Sequence, residues 1–406
     1  MRTSIGTPMT STATKILLLG GGELGKEVAI EAHKLGIEVV VADRYDWAPA
    51  MHVAHRRYVI DLLDEKTVKD VVRREKPDAV IPEIEAVSID ALRGLEDEGY
   101  NIVPNAKAVE ITMNRIKLRR FAAEELGLPT TRYMFAENEE EAIDACEKIG
   151  YPCLIKPEMS SSGHGHVKIL DSSPKSVREA YRYAIQHARG ASKRVIAEEY
   201  VELETEFTIL AYRCSTSNGL ETKTLEPIEH YRYGEFHYIE SWQPSTQDKD
   251  LLSRARSIGL RVAERLGGLG IYGVELFLSR DGRLLFSEVA PRPHDTGMVT
   301  LVTQSLSEFA IHLRCSLGLP VTEPVLLSPG ASLAVYAGKG GGLRAPVFHG
   351  IDKTLALDGV DVRVFGKPYA YPGRRMLVVL ARGENVEEAR RRARLASSYI
   401  SILDGV

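Results

Sequence analysis

Two glutamates, Glu275 and Glu288, lie near the ends of the stretch GVELFLSRDGRLLFSEV. Apolar and polar residues alternate on either side of Asp281-Gly282, the pattern of two strands joined by a two-residue turn. With that turn, Phe277 faces Phe286, Leu278 faces Leu285 and Glu275 faces Glu288. Directly opposed residues of an antiparallel pair have Cβ atoms about 5 Å apart, and like charges there repel. A divalent cation is the commonest reason for fixing two carboxylates so close. Magnesium takes one or two carboxylates together with substrate phosphates. A solvated edge hairpin with two unrelated glutamates is the plain alternative.

Several other patches could do chemistry. Gly20–Gly25, GGGELG, follows an apolar run and opens a helical one, with Asp43 ending the next run. This spacing matches the dinucleotide fingerprint. Its physics is more general, because glycines let backbone N–H groups approach any anion at a helix N-terminus. Glu23 inside the loop would crowd a pyrophosphate and is better placed to accept from a substrate amine or hydroxyl. Glu83, in Pro82-Glu83-Ile84-Glu85, falls where an open α/β sheet binds ligands and could share that crevice. Glu83 and Glu85 could equally be helix-start carboxylates that complement the dipole.

Lys156 ends CLIKP and is followed by the loop Ser160–His166, SSSGHGH, before another strand. A Ser/Gly-rich hairpin tip can lay N–H groups over triphosphate oxygens, with the lysine as a point charge. No helix follows, so this is not a Walker A loop. Glu198, Glu199, Tyr200 and Val201 end another strand, where backbone groups could meet an adenine edge and Glu206 a ribose. Charged strand ends are more often simply solvated. His294 and Asp295 are adjacent and point to opposite faces of an extended chain, which disfavours a dyad or metal pair. Arg292 and Asp295 are the better contacts beside the two glutamates. Lys367 and Arg374-Arg375 form a late basic cluster apt for a phosphate monoester, or an ordinary charged turn.

The elements that must position these residues fall into three regions. From Lys15 to about Met113, runs such as KILLL, RYVI and DAVIP alternate with helical segments, which calls for a parallel sheet with helices on both faces. From Arg115, antiparallel strands mix with helices such as EEEAIDACEKIG, capped by Asn138, and DKDLLSRARSIGLRVAERLG. After Pro320 comes a smaller β-rich segment with a glycine excursion at Gly338–Gly342. The expected domains are 1–113, Rossmann-like; 114–320; and 321–406.

A chain of 406 residues suggests two or three domains, and its 44% apolar and 27% charged content is that of a globular protein. A net charge of -4 gives no footprint for nucleic acid. The cluster Arg390, Arg391, Arg392 and Arg394 reads as a solvated helix face. Cys146, Cys153, Cys214 and Cys315 show no CxxC spacing and read as free thiols in a reducing compartment. The first fourteen residues, MRTSIGTPMTSTAT, lack an apolar core and read as a partly mobile tail rather than a signal. Apolar runs too short to span a membrane complete the picture of a cytoplasmic protein.

In order and spacing, IKP, the Ser/Gly hairpin, EEYV and the two glutamates resemble the ATP-grasp superfamily. More narrowly, GELGKEVAIEA, PEIEA, TMNR, GYPCLIKPEMSSSG, ESWQP, FSEVAPRPHDTGMVTL and FGKP resemble the formate-dependent phosphoribosylglycinamide formyltransferases. The likeness runs along nearly the whole chain.

The resemblance implies an N-terminal Rossmann-like sheet domain, a central ATP-grasp domain and a small β-rich C-terminal domain, assembled as a homodimer. It also implies ATP and Mg2+, with formate and 5-phosphoribosylglycinamide as substrates, joined through formyl phosphate in purine biosynthesis. ATP contacts would fall on Arg115, Lys156, Ser161, Ser162, Gly163, His164, Gly165, His166, Glu198, Glu199, Tyr200, Val201 and Glu206. Arg115 and Lys156 would also neutralise charge in the reaction, and Glu275 and Glu288 would hold magnesium. The ribonucleotide would meet Glu23, Leu24, Glu83 and Asp295, with its phosphate near Lys367, Arg374 and Arg375. His164 stands where the family usually has lysine, and the segment before ESWQP departs from the family pattern. The rival readings are a carboxylating ATP-grasp enzyme acting on an aminoimidazole ribonucleotide, and an NAD-dependent oxidoreductase built on GGGELG.

Overall fold

The computed structural model describes residues 2–84, 86–160, 164–188, 192–232, 240–338 and 342–405. Its first layer is a parallel sheet whose strands run in the order Arg56–Val59, Glu38–Asp43, Lys15–Leu19, Ala79–Pro82. Side chains alternate across it. Ile16 and Leu18 join one apolar core with Val28 and Ala32, while Leu17 and Leu19 join another with Val68, Val72 and Leu92. The near-continuous apolar runs of the sequence reflect a sheet covered on both faces.

The first of those cores is shared. It also contains Met298, Phe309 and Leu313 from the middle of the chain and Phe365, Val378 and Leu380 from the C-terminal segment. Burying these together fixes the helix Glu23–Lys34 against the C-terminal strands, so its first residue faces their basic cluster.

A small antiparallel sheet, in the order Tyr133–Ala136, Val195–Glu199, Cys153–Pro157, Val167–Ile169, is covered by the helices Glu139–Ile149 and Pro174–Gln186. Asn138 caps the first of these helices, accepting from the Glu141 N–H, as the sequence indicates.

The third layer is a nine-stranded sheet. Leu284–Ala290, Gly270–Ser279, Leu203–Thr216, Ile228–Tyr231, Glu240–Gln243, Gly330–Tyr336, Arg375–Arg382 and Val360–Val364 follow one another, with Gly219–Thr224 paired to Leu203–Thr216. The C-terminal strands thus extend the central sheet through the pairing of Glu240–Gln243 with Gly330–Leu333. Period-2 alternation sorts its two faces. Phe207, Ile209, Ala211, Tyr272, Val274 and Leu276 pack with the helix Lys249–Leu266. Glu206, Thr208 and Glu275 therefore point the other way.

The two-glutamate hairpin departs from its expected geometry in an instructive way. Its loop has three residues, not two: Ser279 and Arg283 bond to each other, the Gly282 N–H donates to the Ser279 carbonyl, and Gly282 sits at φ +85°. That is a turn closed by a left-handed glycine. It slides the pairing by one, so Phe277 faces Leu285 and Leu276 faces Phe286. A β-bulge between Glu275 and Leu276 then restores the offset, and Glu275 does face Glu288.

Two further expectations are corrected. The N-terminal tail is tied down: the Arg2 N–H donates to the Gly318 carbonyl (2.8 Å), the Arg2 side chain pairs with Asp78, and the Met9 N–H donates to Glu38 (2.6 Å). Nor is the arginine cluster a purely solvated face. Arg390 and Arg394 both pair with the fully buried Glu240, at 3.0 and 2.7 Å, and Arg390 stacks on Trp242. The four cysteines are all buried and unbridged. Glu85 and the centre of the glycine excursion, 339–341, lie outside the described residues.

The glycine loop after Leu19 is held from within. Asp43 Oδ2 accepts from the Gly21 N–H (2.6 Å) and Oδ1 from the Arg44 N–H. An internal acid thus already takes one of the loop N–H groups, which weighs against the oxidoreductase reading. Asp43→Ala would leave the buried Gly21 N–H unpaired, at about 1–3 kcal/mol. Thermal unfolding should show a clear loss of stability, with Asp43→Asn, which keeps an acceptor, recovering most of it.

Candidate active site

Three groups of polar residues carry the sequence-predicted site positions. The first belongs to the small sheet. Lys156 reaches Glu198 Oε2 at 2.5 Å, and Arg119 donates to Glu198 Oε1 at 2.8 Å. Burial pushes the Glu198 carboxyl upward, but Arg119 and Lys156 outweigh it and hold it well below the usual carboxylate range. Glu198 thus anchors two cations.

Arg115 begins a helix capped by Asn114, and its guanidinium donates to the Pro157 carbonyl and Ser160 Oγ, both at 3.0 Å. It braces the root of the Ser/Gly loop. Burial, together with the nearby charges of Arg115 and Lys156, depresses the His166 pKa and keeps that ring neutral. Gly165 holds φ +77°, and His164 is exposed. Ser161, Ser162 and Gly163 lie outside the described residues. Glu199 pairs outward with Arg132 and Arg283, and Lys168 lies 3.5 Å from the centre of the Tyr200 ring. Val201, at the end of this segment, is half-buried.

The second group surrounds Glu275. On four neighbouring strands the register aligns Glu288 with Glu275, Glu275 with Thr208, and Glu206 with His230. Ligand atoms of Glu206, His230 and Glu275 lie within 4.8 Å of one another. Arg232 stands between the acids, with Nε 3.2 Å from Glu206 Oε2 and Nη2 against Glu275 Oε2. His294 Nε2 meets the other oxygen of Glu275 at 2.9 Å. Burial raises the Glu275 pKa, yet Arg232 and His294 overcome this and keep it ionised. For Glu206 burial wins: against Arg232 and with the repulsion of Glu275, its pKa rises to about 7. Glu288 is exposed.

The third group joins the N- and C-terminal regions. Glu23 accepts from Arg375 at 2.8 Å and from Lys367 at 2.9 Å, while Arg375 also pairs with Asp295. Against the cost of burial, Lys367 and Arg375 hold Glu23 far below the ordinary carboxylate range. Arg374 donates to the Tyr369 carbonyl (2.6 Å) and to the Tyr45 hydroxyl (3.3 Å). Leu24 is buried in the shared core, and Glu83 is buried with His312 Nε2 3.8 Å away. Glu23, Asp295, Lys367 and Arg375, scattered over more than three hundred residues, are therefore one cluster.

Sequence reasoning missed several participants. Arg119, Arg232, His230 and the link from His294 to Glu275 were not singled out. The alternation in IEHYR, which puts His230 and Arg232 on one face of a strand, was the available signal. Glu308 was also missed. It accepts from the His294 N–H at 2.8 Å, and burial raises its pKa well above the carboxylate range.

Comparison with known proteins matches this architecture. Residues 13–113 match the ribonucleotide synthetase preATP-grasp domain, 121–309 the ATP-grasp domain, and 330–400 the domain described as PurT, C-terminal. Formate-dependent phosphoribosylglycinamide formyltransferase from Ignicoccus hospitalis is 58% identical over 99% of this chain and 100% of its own. The protein of that name from Bacillus velezensis is 48% identical over 96% of this chain and 99% of its own. The chain belongs to the formate-dependent phosphoribosylglycinamide formyltransferase family.

Solved structures place this formyltransferase family beside the carboxylating branch. Glycinamide-RNase-transformylase T from Mycobacterium tuberculosis superposes with a TM-score of 0.79 at 32% identity, covering 95% of this chain and 100% of that one. N5-carboxyaminoimidazole ribonucleotide synthetase from Thermotoga maritima gives 0.82 at 26% identity, covering 96% and 99%. Overall shape does not separate the two branches; sequence does.

The anchoring role of Glu198 has a direct test. Glu198→Ala would leave Arg119 and Lys156 without their buried counter-charge, a loss of about 3–5 kcal/mol. Urea unfolding should show it, and a midpoint like that of the parent protein would mean that the anchor contributes little.

Proposed function

We propose that the chain formylates 5-phosphoribosylglycinamide with formate and ATP, through formyl phosphate, in purine biosynthesis. Formate is a poor acyl donor because its leaving group would be oxide. Once phosphorylated it can lose phosphate to an attacking amine. The chain needs no covalent nucleophile for this; its work is positioning and charge neutralisation.

The observation that carries this reading is that the Glu275 group and the Glu23 cluster are joined through His294 and Asp295. Opposed carboxylates and the Lys156–Arg115 cations suit a metal-bound polyphosphate. Beside them is a cluster of paired opposite charges. A substrate with an amine at one end and a phosphate at the other is complementary to those pairs. Glu23 and Asp295 can turn to the amine while Lys367, Arg374 and Arg375 turn to the phosphate. Identity of about half or more to formyltransferases across the whole chain favours formate over bicarbonate.

The donor set fits magnesium. Glu275 and Glu288 offer oxygen ligands from opposed positions, the hard donors this ion prefers. Held there, the ion would neutralise the nucleotide's phosphates. Lys156, fixed by Glu198, and Arg115, fixed on the Ser160 loop, supply the remaining positive charge. The Ser160–His166 loop would cover the nucleotide and exclude water from formyl phosphate. The same reading includes a cytoplasmic homodimer with functional divisions near residues 113 and 320.

An ADP-release assay tests the function. Release should require formate and the ribonucleotide together, and bicarbonate with an aminoimidazole ribonucleotide should not substitute. Release with the latter pair alone would assign the chain to the carboxylating branch. Glu288→Gln should keep the fold by circular dichroism and lose turnover; near-normal rates at saturating magnesium would remove Glu288 from the metal site. His164→Lys restores the positive charge usual at that position and should bind ATP equally or more tightly. Clearly weaker binding would give the histidine a role of its own.

A further inference from the structure

Formate offers only two oxygens and one negative charge to recognise. A guanidinium meets both features, because its fork donates two parallel hydrogen bonds to a carboxylate. The cation that holds formate must stand between the metal carboxylates and the cluster that receives the amine. Around that junction, most described cations have partners that the reaction leaves in place or have another duty. Lys156 and Arg119 lie on Glu198, and Lys367 and Arg375 lie on Glu23 and face the substrate phosphate in the function proposed above.

Arg232 differs. Its partners are Glu206 and Glu275, and Glu275 is the acid that a metal ion would take. It also stands at the right place. The other oxygen of Glu275 meets His294, whose Nδ1 lies 3.2 Å from Asp295 Oδ1, and Asp295 pairs with Arg375. One carboxylate and one imidazole separate Arg232 from the amine-binding cluster. Arg232 is largely enclosed, with a quarter of its side chain exposed, enough for a one-carbon ligand to reach it.

We propose that Arg232 is the formate-binding residue, released for that task when a metal-bound nucleotide takes Glu275. A divalent cation on Glu275 both removes one partner and repels the guanidinium. Glu206 can keep Nε while the Nη edge turns to the two oxygens of formate. In the nucleotide-free protein Arg232 is the counter-ion of the acid pair, so formate has no vacant fork to bind. Nucleotide should therefore precede formate. The inference rests on the formylation reading and adds the specific residue that selects the one-carbon acid.

Two measurements on the full-length protein test it. In steady-state assays Arg232→Gln should raise the KM for formate by about 10- to 100-fold, the range expected for a lost hydrogen bond to a charged group. The KM values for ATP and the ribonucleotide should move far less. Arg232→Lys, which keeps charge without the fork, should fall between and guards against a variant that misfolds. In the nucleotide-free protein, Mn2+ binding followed by electron paramagnetic resonance should tighten in Arg232→Gln, since the acids have lost their internal cation. An unchanged formate KM in both variants would overturn the assignment, as would weaker Mn2+ binding. Failure of the parent protein to release ADP with formate would instead sink the function itself, so the two failures are distinguishable.

Discussion

Three largely buried carboxylates at this site, Glu198, Glu275 and Glu23, are each held by cations within reach. Taking a lone charge out of water costs several kcal/mol even after relaxation, and a buried pair must recover this through close contact and added hydrogen bonds. Glu198 has Arg119 and Lys156, Glu275 has Arg232 and His294, and Glu23 has Lys367 and Arg375. The site therefore folds as a self-neutralising network. Ligands enter it by exchanging partners rather than by paying for fresh desolvation, so a substrate that brings both a positive and a negative end is favoured over one that brings a single charge.

Strand alternation makes that network possible. One face of the long central strands carries Phe207, Ile209 and Ala211 into the core beneath the helix Lys249–Leu266, which forces Glu206 and Thr208 onto the other. Because the C-terminal strands continue the same sheet, acids from the middle of the chain and cations from its end share that surface. The shared apolar core then brings Glu23 down upon it. Hydrophobic packing, which is blind to chemistry, sets the distances between charged groups.

Much of this was legible in the sequence where the signal is local. The glycine loop with Asp43, the cap at Asn138, the lysine of CLIKP and the opposed glutamates all follow from short patterns. The hairpin shows the limit of such reading. Its glutamates do face each other, yet a three-residue loop and a compensating bulge, neither visible in alternation, produce that result. Partners distant in sequence were harder still. Nothing near Arg232 announces Glu275, and nothing near Arg390 announces Glu240; both pairings depend on strand order. The polar N-terminal tail looked unanchored because its hydrogen-bond partners, Asp78, Glu38 and Gly318, are remote in the chain.

The account turns on whether the opposed glutamates share a cation that displaces an internal one. Crystals grown with Mn2+ and a non-hydrolysable ATP analogue, measured at the manganese edge, would answer this most directly. An anomalous peak bridging Glu275 and Glu288, with the Arg232 guanidinium withdrawn from Glu275, is the expected result. A peak elsewhere, with Arg232 still seated on Glu275 in the nucleotide complex, would contradict it.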